Sequence, residues 1–158
     1  MKKVIFAELA LVLLLAGVMA LLLYQKEPRT DVTETEVHTM FASVQGDAPV
    51  NAAGTLRIRR IFGLNAADHD LIIYYTPVDS MDVCEFMLIR TEEANLSSVK
   101  AAMENRIASQ LAAFTNYGPQ QTELLDKAII WECGNYLCLI VSEEPEIWLD
   151  AVKALLEV

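Results

Sequence analysis

The chain has 158 residues, 54% of them hydrophobic, with 22 acidic and 12 basic side chains and a net charge of −10 at pH 7. With roughly 30 residues set aside as an N-terminal anchor and its flank, enough chain remains for one core and hardly for two. From Asp31 onward 20 acidic residues stand against 8 basic ones, a net charge of −12, which argues against nucleic acid as a partner and against adsorption to an anionic bilayer. Divalent cations or a basic protein would be attracted, although solubility is the plainer meaning of such a charge.

Lys2 and Lys3 precede an apolar stretch, Val4 to Tyr24, interrupted only by Glu8. At 1.5 Å per residue, about 20 residues cross a hydrocarbon core, so residues 4–24 are expected to span a membrane and to contact lipid. Val18, Met19 and Ala20 admit a cleavable signal peptide, but Leu21, Leu22 and Leu23 continue the apolar run and Tyr24 suits the interface. An uncleaved anchor over residues 1–25 is therefore expected. The short basic N-terminus is retained inside, so the C-terminal domain is exported and its expected location is the outer face of the cell membrane. Glu8 fits an interfacial position; a partner helix meeting it, with Ala16 and Ala20 as a small-residue contact, is the functional alternative.

Residues 26–31, with Pro28, read as a short polar tether to a domain over residues 32–158. Thr33 with Glu36 three residues on forms a capping-box pattern, and Val37, Met40, Phe41 and Val44 give the helix an apolar face that ends at Gly46. A second helix is predicted from Val50 to Phe62, closed by Gly63. Leu71 to Tyr75 is a dense apolar run, strand or short helix. Val83 to Thr91 is a clearer strand, apolar on both faces and hence central. A long helix is predicted from Ala94 to Thr115 and a short one from Gln120 to Asp126. Ala128–Cys133, Gly134–Asn135 and Tyr136–Val141 read as a hairpin on a type II′ turn, with Cys133 opposite Tyr136 and Trp131 opposite Cys138. Ser142 is expected to cap a last helix reaching about Leu156. The whole predicts an α+β domain: two leading helices, then ββαββα, with helices on one face of a mostly antiparallel four-stranded sheet.

The stretch from Glu85 through Arg106, Gln110, Tyr117, Pro119 and the Gly134–Asn135–Tyr136 turn to Ser142 resembles a domain-of-unknown-function family common in Clostridia and related Gram-positive bacteria. Its members are exported lipoproteins or membrane-anchored proteins, and the similarity runs over about residues 33–158. The resemblance implies an extracytoplasmic location and supplies neither activity nor ligand. No cysteine precedes Cys84, so a lipobox is lacking and a protein anchor would replace the lipid.

Few residues carry a chemical signature, and no cofactor, metal or catalytic set is expected. Asp68, His69 and Asp70 are adjacent, and neighbouring residues on an extended strand point to opposite faces, so a solvated turn is the plainer reading. Cys84 with a histidine could pair as nucleophile and base, but nothing lowers its pKa. Cys84, Cys133 and Cys138 show no CxxC or zinc spacing; core thiols are preferred to a disulfide. Arg57, Arg59 and Arg60 form the only basic cluster of the acidic domain, suited to an anionic wall polymer or lipid head group, or to offsetting nearby acids. Arg106 and Gln110, four residues apart at the edge of the inward helix face, need partners there, and Glu85 is the natural counter-charge. Glu85, Arg106 and Gln110 are thus a candidate polar pocket or structural ion pair. The expected role is a non-catalytic interaction or sensing module meeting an envelope protein or wall polymer; the alternatives are an envelope-acting enzyme and a structural subunit assembling through its anchor.

Overall fold

The computed structural model describes residues 12–15, 17 and 27–158. Most of the expected anchor, with Glu8, Ala16 and Ala20, lies outside the described residues. Among the described residues no helix is long and apolar enough to cross a membrane.

The domain begins with α1 (Glu34–Val44), whose capping box is complete: Thr33 accepts from the Glu36 amide while the Glu36 carboxylate accepts from the Thr33 amide at 2.8 Å. Next come β1 (Val50–Ala52), α2 (Thr55–Phe62), a 3₁₀ turn at Ala66–Asp68, β2 (Leu71–Pro77) and β3 (Glu85–Arg90). Helices α3 (Glu93–Phe114) and α4 (Pro119–Asp126) lead to the hairpin β4 (Ile129–Cys133) and β5 (Tyr136–Val141), and α5 (Pro145–Leu156) closes the chain. All strand pairs are antiparallel, in the order β1-β2-β3-β5-β4.

Three expectations are corrected. The sheet has five strands rather than four, because Val50–Ala52 is not the first turn of a helix but an edge strand pairing Asn51 with Thr76; Gly54 then starts α2. The helices cover both faces rather than one. Apolar side chains line both sides of β3 and β5, and each side must be shielded from water. On one face α1 and α5 enclose Phe41, Phe86, Cys138, Ile140 and Trp148; on the other α2, α3 and α4 enclose Phe62, Tyr74, Met87, Met103 and Leu139. Finally, Ser142 does not cap α5. That helix starts three residues later, where Pro145 supplies a preset φ and lacks the amide hydrogen that the first turn would leave unbonded.

The hairpin has the expected register, with Cys133 opposite Tyr136 and Trp131 opposite Cys138. Gly134 has φ +54° and Asn135 does not have a positive φ, the II′ pattern.

Strands β3 and β5 give the domain two distinct ends. Arg90 pairs with Tyr136 at the turn end, and Glu85 pairs with Val141 at the loop end, beside the connection Val78–Cys84. The segment read as a tether is laid against the turn end. The Arg29 amide donates to the Leu156 carbonyl at 3.1 Å, Tyr136 donates its hydroxyl to the Arg29 carbonyl at 2.7 Å, and Arg90 donates to the carbonyls of Thr30 and Val32. A Cβ on Gly134 would come within 2.9 Å of Pro28, so the turn glycine also makes room for this segment.

Candidate functional site

Glu85 starts β3 facing the α3 layer and is 0% exposed. A carboxylate taken from water in this way needs a cation and filled hydrogen-bond positions, and three elements supply them. Arg106 of α3 donates from Nε to both carboxylate oxygens at 3.2 Å and from Nη2 to Oε2 at 3.1 Å. Tyr74 of β2 donates its hydroxyl to Oε2 at 2.7 Å. Gln110, one helical turn past Arg106, completes the ring. In the orientation that its partners dictate, its amide nitrogen donates to Glu85 Oε1 at 3.1 Å and its oxygen accepts from Arg106 Nη2 at 2.8 Å. Burial pushes the Glu85 carboxyl above its ordinary range, opposed by Arg106 and the Tyr74 hydroxyl. Burial and the neighbouring Glu85 likewise raise the Tyr74 phenol. Glu85, Arg106 and Gln110 are therefore brought together, and Tyr74 is the member that sequence reasoning missed. Its signal lay in the strand register, since Tyr74 opposes Met87 and so sits diagonally from Glu85 on the same face.

This network borders open space. Arg106 and Gln110 line a cleft of about 310 Å³ whose wall includes Arg57, and Arg57 donates to Thr76 Oγ1 at 3.2 Å. Arg59 and Arg60 are exposed in the last turn of α2, where positive charge suits the helix dipole. Of the expected basic cluster only Arg57 joins the cleft.

Two larger clefts adjoin it, of about 480 and 680 Å³, and Asp82 lines all three. Asp82 Oδ1 accepts from the amides of Val83 and Cys84, Asp79 Oδ1 from that of Met81, and Gln121 of α4 donates to the Met81 carbonyl. The loop is thus held by its own side chains, while Val78 and Met81 stand exposed on it.

The other candidate residues diverge. His69 Nδ1 meets Thr91 Oγ1 at 2.8 Å, Asp68 accepts from Asn65, and Asp70 lies 4.0 Å from Arg90. Burial lowers the pKa of His69, against the pull of Asp68 and Asp70. His38 bonds the Tyr75 hydroxyl at 2.6 Å. Neither histidine bonds Cys84, whose buried thiol is pushed up to about 12, chiefly by desolvation. The three cysteines are free thiols, Cys84 and Cys138 buried. Among the described residues no group of three His, Cys, Asp or Glu side chains could hold a metal ion.

A small α+β domain, with one antiparallel sheet between two helical layers and a shielded charge network beside clefts at one end, is the class that these features define. The chain belongs to the family described as domain of unknown function DUF4358, whose model matches residues 46–142. That match takes in Glu85, Arg106, Gln110 and Ser142, and leaves α1 and α5 outside. No curated protein and no solved structure matches the chain.

Proposed function

We propose that the protein is a membrane-tethered, non-catalytic recognition module of the cell surface, held by residues 4–24 and presenting the loop end of its sheet to an envelope protein or wall polymer. The observation that carries this reading is the polarity of the domain. The segment leading from the N-terminus is docked at Arg90, Gly134 and Tyr136, whereas three of the clefts, the two largest among them, meet at Asp82, at the far end of the same strands. The six residues of β3 put about 17 Å between the two ends. With an anchor ending at Tyr24, only residues 25–27 separate the lipid interface from docked Pro28, so the turn end would face the membrane and the clefts would face away.

The Cys84 thiol, raised by burial, is unsuited to act as a nucleophile at neutral pH, which weighs for recognition over envelope chemistry. Two measurements test the reading. A membrane-impermeant maleimide should label a cysteine placed at exposed Asp47, in a Cys133→Ser background, on intact cells; labelling only after lysis overturns the topology. Crosslinking from the Val78–Cys84 loop on intact cells should recover an envelope protein or polymer, and recovery of none overturns the recognition role.

A further inference from the structure

Taking the loop end as the recognition end, we propose that its cleft of about 480 Å³, between the C-terminal end of α1 and the start of α5, binds an alkylammonium group such as a lysine side chain. Two of the residues that line the cleft, Ser142 and Gln45, each carry a buried polar atom, Oγ and Oε1, with no partner among the described residues. Ser142 is 4% exposed, so water does not freely compensate its hydroxyl. A buried polar group left without a hydrogen bond is destabilising. Ser142 follows β5 directly and caps no helix, so the fold itself gives the hydroxyl no task.

The surroundings select the chemistry of the missing partner. Four acidic side chains, Asp47, Asp82, Glu143 and Glu144, line the cleft, and no Lys, Arg or His does. Lys127, on the wall of the neighbouring cleft, bonds Glu123 at 2.6 Å and acts on Glu143 only through its charge. Helix α1 aims its negative end here, and its last turn carries no basic residue to offset that end. An ammonium group has three donors and no acceptor, which suits a wall of carbonyl, hydroxyl and carboxylate oxygens. A bare metal ion suits it less, because the acidic groups do not converge into a coordinating set among the described residues. The cleft exceeds the size of an ion, and Trp148 and Leu124 on its wall offer apolar surface to a methylene chain. Trp148 is itself held by donation from Nε1 to the Val44 carbonyl at 3.0 Å, so this wall is preformed.

The test is titration of the full chain in a neutral detergent at low salt, followed by tryptophan fluorescence. The probes are N-acetyl-lysine methylamide, its uncharged analogue N-acetyl-norleucine methylamide, and n-pentylamine as a free amine. The lysine compound should bind saturably and the norleucine compound should not. Binding of pentylamine at equal strength identifies the ammonium and chain as sufficient, whereas binding of the lysine compound alone places the peptide backbone in the cleft as well; both support the proposal. Ser142→Ala should weaken binding about tenfold and leave the ligand-free protein as stable or more stable, since an unsatisfied hydroxyl is removed. Glu144→Gln, at an exposed position that does not endanger the fold, should weaken it about threefold, an effect that added salt abolishes. Equal binding of the norleucine compound, affinity unchanged by both substitutions, or a lowered melting temperature for unliganded Ser142→Ala would each overturn the assignment. Failure here leaves partner capture on intact cells untouched, so the two readings fall separately.

Discussion

The Glu85–Arg106 pair gives the most quantitative expectation. At 3.1 Å, with an effective dielectric constant of about 20, two unit charges attract by roughly 5 kcal/mol, but much of this offsets the desolvation of a carboxylate with no exposed surface. Removing the cation alone strands the carboxylate, so Arg106→Met should cost about 3–5 kcal/mol. Glu85→Met should also cost several kcal/mol, because it leaves Arg106 unpaired and the Tyr74 hydroxyl without its acceptor. Removing both charges should restore much of the loss, and adding Tyr74→Phe should restore more, since a second orphaned polar group goes with it and only Gln110 is left without these partners. The double-mutant cycle should therefore show a coupling of about 2–4 kcal/mol. Urea unfolding of the purified full chain, followed by the fluorescence of Trp131 and Trp148, measures all four corners. Single substitutions that each cost less than about 1 kcal/mol and simply add would refute the view that this network locks β3 to α3.

Other expectations follow from the same geometry. Gly134→Ala forces a positive φ on a residue with a side chain and drives its Cβ toward Pro28; a loss of about 1–2 kcal/mol should accompany faster proteolysis at Lys26, and unchanged proteolysis would mean that the segment is not held there. His69 titrates below its ordinary value of 6.5 because of burial. Between that lowered value and 6.5 the unfolded chain binds more protons, so stability is full above about 6.5 and is lost as the pH falls through the folded value. His69→Asn should flatten this part of the melting-temperature profile between pH 5 and 8, and parallel profiles would dismiss the role of His69. Phe41 stacks on Phe86 at 4.5 Å and meets Trp148 edge-on at 4.9 Å; Phe41→Ala should cost about 3–5 kcal/mol in thermal or urea unfolding.

What could be read from the sequence was local, and what could not depended on pairing. The α1 capping box, the Gly63 stop and the Gly134–Asn135 turn rest on residues a few positions apart, and the structure contains each of them. Strand β1 has three residues, too few for any periodicity, and exists because Ala52 lies beside Tyr75. Ser142 has the chemistry of a helix cap, but the preset φ of Pro145 decides where α5 begins. The one-sided helical layer was an avoidable misreading, since β3 already showed apolar residues on both faces. Within the candidate site, Arg106 and Gln110 were visible from their four-residue spacing and Glu85 from its isolation on an apolar strand. Tyr74 required the β2–β3 register. The unpartnered atoms of Gln45 and Ser142 required coordinates, because a missing hydrogen bond leaves no trace in a sequence.

The family match stops at residue 142 and begins after α1, so the matched segment lacks part of the core. Among the described residues, 46–142 contain every strand, but the sheet face bearing Phe86, Leu88, Cys138 and Ile140 is covered by α1 and α5. Those same helices join the two ends of the domain. Thr33 and Leu156 sit by the docked segment, while Gln45 and Glu144 flank the acidic cleft. A protein expressed as residues 46–142 should therefore bind a hydrophobic dye and unfold without a cooperative transition, whereas one starting at Glu27 and ending at Val158 should melt cooperatively. Cooperative melting of the shorter piece would show that its sheet is stable with one face bare. The two outer helices would then serve the ends of the domain rather than its core.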